Sequence, residues 1–135
     1  MKWMLPALAL IAADMPADAS SGSIEGIHAA IRDYGDGFRT GDAESFRRAF
    51  AAESYFVRPG SGGGIEATPI ATLLPAWSSA PDPDSRVEII GVHLTAETLA
   101  MVNLRLHYRG MIFSDQLNLL RIDGRWRIVA KLSVR

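Results

Sequence analysis

Residues 111–134 read MIFSDQLNLLRIDGRWRIVAKLSV. Two apolar-rich runs, 111–122 and 125–134, flank Asp123-Gly124, a pair suited to the primed turns that match the twist of a two-stranded ribbon. The stretch is therefore a β-hairpin. Upstream, 86–94 and 98–109 have the same strand character. From Arg86 onward the chain reads as consecutive antiparallel strands.

The preceding part has a different period. Ser23 can cap a helix in which Ile24, Ile27, Ile31, Tyr34 and Phe38 recur at spacings of three and four, an apolar stripe along one face. Gly41 suits its stop and Asp42 the cap of a second helix, with Phe46 and Phe50 on one face. SYFV (Ser54–Val57) is a short strand and RPGSGGG (Arg58–Gly64) a loop. Those glycines are not a phosphate loop, since no GK[ST] follows them. Thr68-Pro69 opens a third helix through Leu73, Leu74 and Trp77. Helices first, then a run of strands, predicts an α+β fold in which three N-terminal helices cover a curved antiparallel sheet.

Composition narrows the function classes. The 135 residues suit one domain, and 48% hydrophobic residues are enough for a core. A net charge of −1 excludes the basic footprint of a nucleic-acid binder. Cysteine is absent, which excludes disulfides and thiolate metal sites. The three histidines form no ligand pair at helical spacing, so no metal and no cofactor are expected. Residues 1–19 look like an export leader. One lysine precedes an apolar run from Trp3 to Ala13, then Ala17-Asp18-Ala19 offers a cleavage site. That run is too short for a stable membrane span. The expectation is a leader over 1–19, a single domain over 20–135, and a bacterial periplasmic location.

Asp115 and Asn118 stand inside an otherwise apolar strand, and alternation treats them oppositely. One phase groups Asp115 with Phe113, Leu117 and Leu119 on the core face. The other puts Leu120 and Ile122 inside, which turns Asn118 inward and Asp115 outward. A one-residue bulge could reconcile the two.

The order of elements, with YGDGFRTGDAESFRRAF (Tyr34–Phe50), SYFV, and FSDQLNLLRIDGRWRIVAKL (Phe113–Leu132), resembles the nuclear-transport-factor-2-like superfamily, and within it the lumazine-binding and SnoaL-like group. The resemblance spans about residues 22–135 and implies a cone-shaped fold with an apolar pocket between sheet and helices. It also implies a homodimer through the outer sheet face, and a function anywhere from isomerase, dehydratase or epoxide hydrolase to non-catalytic binder. Against the ketosteroid-isomerase pattern, Tyr34 stands at the oxyanion-stabilising position, eight residues before Asp42. Asn118 falls at the second donor position, three residues before Arg121. The base position holds Arg58, which cannot abstract a proton at neutral pH. The His-Pro usual after the second helix is replaced by FAAES (Phe50–Ser54).

The resulting expectation puts Asn118 in the pocket with Tyr34, and makes Asp115 a structural acid paired with Arg or backbone donors. The alternative makes Asp115 a pocket acid, partnered by Arg58 and acting catalytically with Tyr34. Tyr55 and Trp77 complete the candidate lining. Two readings of function follow: a periplasmic binder of a small hydrophobic compound, and an enzyme acting on a small carbonyl or epoxide. A third is a dimeric assembly module.

Overall fold

The computed structural model describes residues 17–135, with side chains from residue 22. The apolar run of the expected leader lies outside the described residues. Helix α1 spans Ala17–Thr40 and buries Ile27, Ala30, Ile31, Tyr34 and Phe38, the stripe that the helical period implies. It begins earlier than expected. Ser23 is buried within it and caps nothing.

Gly41, at φ +74°, ends the helix, and its N–H donates to the Gly37 carbonyl at 2.9 Å. The next residue, Asp42, caps α2 (Ala43–Ala49) by accepting from the Glu44 N–H at 3.0 Å. Gly37 lets the two helices approach closely, because a Cβ there would lie 2.5 Å from the buried Phe46 ring. Strand β1 (Phe50–Pro59) follows without a linker.

β1 is longer than SYFV. It turns through the glycines into β2 (Ile65–Pro69), a strand that the glycine-rich composition concealed. Pro69 then caps α3 (Ile70–Ser78). The remaining chain forms β3 (Arg86–Ala96), β4 (Leu99–Tyr108), β5 (Met111–Ile122) and β6 (Arg125–Val134). Asp123 and Gly124 have φ of 51° and 77°, the left-handed pair of a type I′ hairpin. Arg109 and Gly110, at 51° and 76°, form a second such pair between β4 and β5.

The six strands lie in the order β2-β1-β6-β5-β4-β3. All neighbours are antiparallel except β1 and β6, which are parallel, so the expected antiparallel sheet is a mixed one. The parallel pair arises because β1, arriving from the helices, lies between its sequence neighbour β2 and the last strand, β6. The curved sheet closes over α1 and α2, and their inward faces share one core that includes Phe46, Val102, Leu104, Leu117, Leu119 and Ile128.

Pairing of β5 with β4 is regular from Leu99–Leu120 to Tyr108–Met111. Asp115, Leu117 and Leu119 therefore share the buried face. Leu120 and Ile122, expected inside, point outward and are 37% and 39% exposed. The irregularity lies in β6. Asn118 pairs with Ala130 and Leu119 with Ile128, which leaves Val129 as the extra residue of a bulge. Trp126 and Ile128 point inward before the bulge, and Lys131 and Ser133 after it.

Candidate functional site

The bulge brings a lysine into the core. Lys131 Nζ donates to Asp115 Oδ2 at 2.7 Å and to the Tyr34 hydroxyl oxygen at 2.5 Å. Tyr34 in turn donates its O–H to Asp115 Oδ2 at 2.5 Å. Three elements supply the trio: α1 gives Tyr34, β5 gives Asp115 and β6 gives Lys131. Neither charged side chain reaches solvent appreciably, with 0% exposure for Asp115 and 4% for Lys131. Among the described residues, Asp115 Oδ1 has no hydrogen-bond partner.

Aromatic rings surround the ammonium. Nζ lies 4.8 Å from the Tyr34 ring centroid, 5.3 Å from Phe38, 5.7 Å from Trp77 and 5.8 Å from Phe56. Such faces are electron-rich and hold a cation where water is excluded. Burial pushes the Lys131 ammonium below its ordinary range, against the opposing pull of Asp115. Burial raises the Tyr34 phenol well above its ordinary value, and the adjacent Asp115 charge and hydrogen bond add to it. Tyr34 is thus a proton donor that stays protonated.

Lys131 opens onto a cavity of about 90 Å³ between sheet and helices, lined by Phe38, Phe56, Trp77, Leu106, Tyr108, Phe113 and Ser133. Pockets for drug-sized ligands run to about 300–1,000 Å³, so this one suits a compound of a few heavy atoms. A larger depression of about 460 Å³ lies on the outer sheet face among residues such as Ile90, Asn103, Arg105, Gln116 and Leu132. Of the buried polar trio, Lys131 lines the smaller cavity, whereas Asp115 borders the larger depression with a side chain that is 0% exposed, so chemistry rather than size selects the smaller one.

The sequence candidates divide. Tyr34 and Asp115 meet at one point, and Trp77 lines the cavity beside them. Asn118 does not join them. It projects from the face of β5 opposite Asp115 and the buried Leu117 and Leu119, so its expected place in the pocket with Tyr34 is corrected. Arg58 does not partner Asp115 either. Its Nε lies 2.8 Å from Glu66 Oε2 across β1 and β2, in a side chain 57% exposed. Tyr55 is 47% exposed on the outer side of β1.

Lys131 was missed as a candidate. Strict alternation from Trp126 and Ile128 points Ala130 and Leu132 inward and Lys131 outward, and only the bulge reverses this. One signal was present. An isolated lysine follows a strand core in a chain with two lysines and twelve arginines.

Residues 22–132 match the family described as "Putative lumazine-binding". No curated protein matches the chain. Among solved structures, an NTF-2 like protein of unknown function from Silicibacter pomeroyi superposes with a TM-score of 0.75 at 25% identity, over 85% of this chain and 97% of that one. An NTF2-like protein of unknown function from Shewanella baltica gives 0.74 at 22% identity, over 82% and 91%. The association domain of C. elegans CaMKII gives 0.67 at 13% identity, over 89% and 100%, a likeness of fold alone. With most of its length matched by the family, on the same cone of helices and sheet, the chain belongs to the putative lumazine-binding family of nuclear-transport-factor-2-like proteins.

Proposed function

We propose that this protein binds a small, largely apolar compound in the aromatic cavity, with Lys131 as its polar end. The observation that carries this reading is the cavity itself: apolar walls closing on one buried, hydrogen-bonded ammonium. Binding sites of this kind take affinity from the walls and orientation from a few polar groups. The matched family's description points the same way, but the lumen is too small for a fused ring system as large as lumazine. The site of action is proposed to be the periplasm, on the strength of the leader pattern in residues 1–19.

1-Butanol is a suitable probe, being small, apolar and unreactive. Titration should shift the Trp77 indole N–H resonance saturably, and Ser133→Leu, which fills the lumen, should abolish the shift. A folded protein whose Trp77 signal does not respond would sink the reading.

The outer face of the sheet is proposed to pair two copies. Ile90, Ile112, Leu132 and Val134 are exposed there at 54%, 53%, 40% and 50%, and a fold relative is an association domain. Sedimentation should show a dimer that Leu132→Glu dissociates. A wild-type protein that stays monomeric at high concentration would contradict this.

A further inference from the structure

Lys131 is placed like a reactive amine rather than an inert counter-ion. A purely structural ion pair has no need of a cavity beside its lysine, and it ordinarily satisfies both carboxylate oxygens. Here Lys131 lines the lumen, two of its three N–H groups are engaged by protein, and Asp115 Oδ1 has no partner among the described residues. A desolvated lysine in an apolar pocket is the ordinary form of an activated amine nucleophile. Arginine, which supplies twelve of the fourteen basic residues of the chain, could pair with Asp115 but not perform this chemistry.

We propose that Lys131 condenses with the carbonyl carbon of a small apolar aldehyde or ketone held in the cavity, giving an imine and one molecule of water. This rests on the binding reading above and specifies the class of compound.

The protons have a route. Lys131 passes one proton to Asp115 across the 2.7 Å contact and becomes a free amine. Its lone pair forms the C–N bond as the carbonyl π bond breaks toward oxygen. That oxygen takes a proton from the Tyr34 hydroxyl, which is replenished by Asp115 across 2.5 Å. The nitrogen of the resulting protonated carbinolamine then gives one of its two protons, through Asp115, to the departing hydroxyl and keeps the other, so that the product is a protonated imine paired with the Asp115 carboxylate. Water leaves and the C=N bond forms. No oxidant or reductant enters. Burial, which disfavours the charged ammonium, lowers the cost of the first transfer.

The sequence makes the test clean, because Lys2 is the one other lysine in the chain. The full-length protein is incubated with butanal and sodium cyanoborohydride, which reduces an imine to a stable secondary amine, and the product is mapped by peptide mass spectrometry. Butyl transfer to Lys131 is expected at least about tenfold faster than to Lys2, because a desolvated amine in an apolar pocket is the more reactive nucleophile. Tyr34→Phe should slow the labelling. Lys131→Arg should abolish it. Labelling confined to Lys2 and the N-terminus, with the Trp77 response to 1-butanol intact, overturns the imine proposal and leaves the binding reading standing. Loss of the 1-butanol response in the wild type overturns both.

Discussion

Replacing Asp115 with Leu alone should lower the free energy of unfolding by about 3–5 kcal/mol, read from urea denaturation midpoints, because it leaves the Lys131 ammonium buried without a counter-charge. Lys131→Met alone should cost a comparable amount by stranding the carboxylate. The double variant should recover most of the loss, since two apolar side chains of similar volume carry no desolvation penalty. Costs that simply add, or an Asp115→Leu cost under about 1 kcal/mol, would mean that the pair is not coupled as its 2.7 Å contact implies.

The same set of variants has a pH signature. The folded pKa of Lys131 lies below that of an unfolded lysine, so unfolding takes up a proton in the window between the two. The Lys131 contribution to stability therefore rises with pH through that window, up to the ordinary lysine value of 10.5. Tyr34 has the opposite sign. Its folded pKa lies above 10.0, so its contribution is complete below that pH and is lost as pH rises beyond it. Asp115→Leu removes the two influences that raise Lys131, so below 10.5 its stability should climb with pH more steeply than that of the wild type. Lys131→Met should lose the climb and keep only the fall above 10. Equal slopes in all three proteins would refute the account.

Phe38→Ala should cost about 3–5 kcal/mol, the range for truncating a fully packed aromatic. Phe38 is 2% exposed, and its ring lies 4.9 Å from Phe46 and 5.1 Å from each of Tyr34, Trp77 and Tyr108. It also walls the cavity and faces Lys131 Nζ at 5.3 Å. The variant should therefore be less stable and at the same time admit a larger guest than 1-butanol, such as toluene, visible again at the Trp77 indole. A cost under about 1 kcal/mol would mean that the neighbouring rings collapse into the space.

Much of the fold was legible because local signals agreed. The 3.6-residue stripe from Ile27 to Phe38, the Gly41 stop, the Asp42 cap and the Asp123-Gly124 turn each act within a few residues, and each marks its element. The exceptions have different causes. β2 was hidden because glycines flank it and its residues are mostly exposed, leaving no apolar period to read. The parallel β1–β6 pair joins Phe50 and Tyr55 to Ile128 and Ala130, a match across most of the chain that no short window contains.

The site divides along the same line. Tyr34 was legible, since its helix stripe points it inward whatever the sheet does. Asp115 was left undecided between two phases, and Asn118 was preferred for the pocket on the strength of Leu120 and Ile122. Those two side chains face outward instead, where they form part of the exposed face proposed for pairing. Lys131 could not be reached by alternation at all.

By itself, then, the sequence determined most of the order of helices and strands, the type of fold, the family, and the inward direction of Tyr34, which a helix sets. The tertiary structure decided which acid faces inward and which base meets it. The first is set by the regular pairing of β5 with β4, and the physical reason for the second is the single extra residue in β6, Val129. Side-chain direction in a strand has a period of two, so one bulged residue inverts every position after it, and a bulge is a property of two paired strands rather than of either sequence.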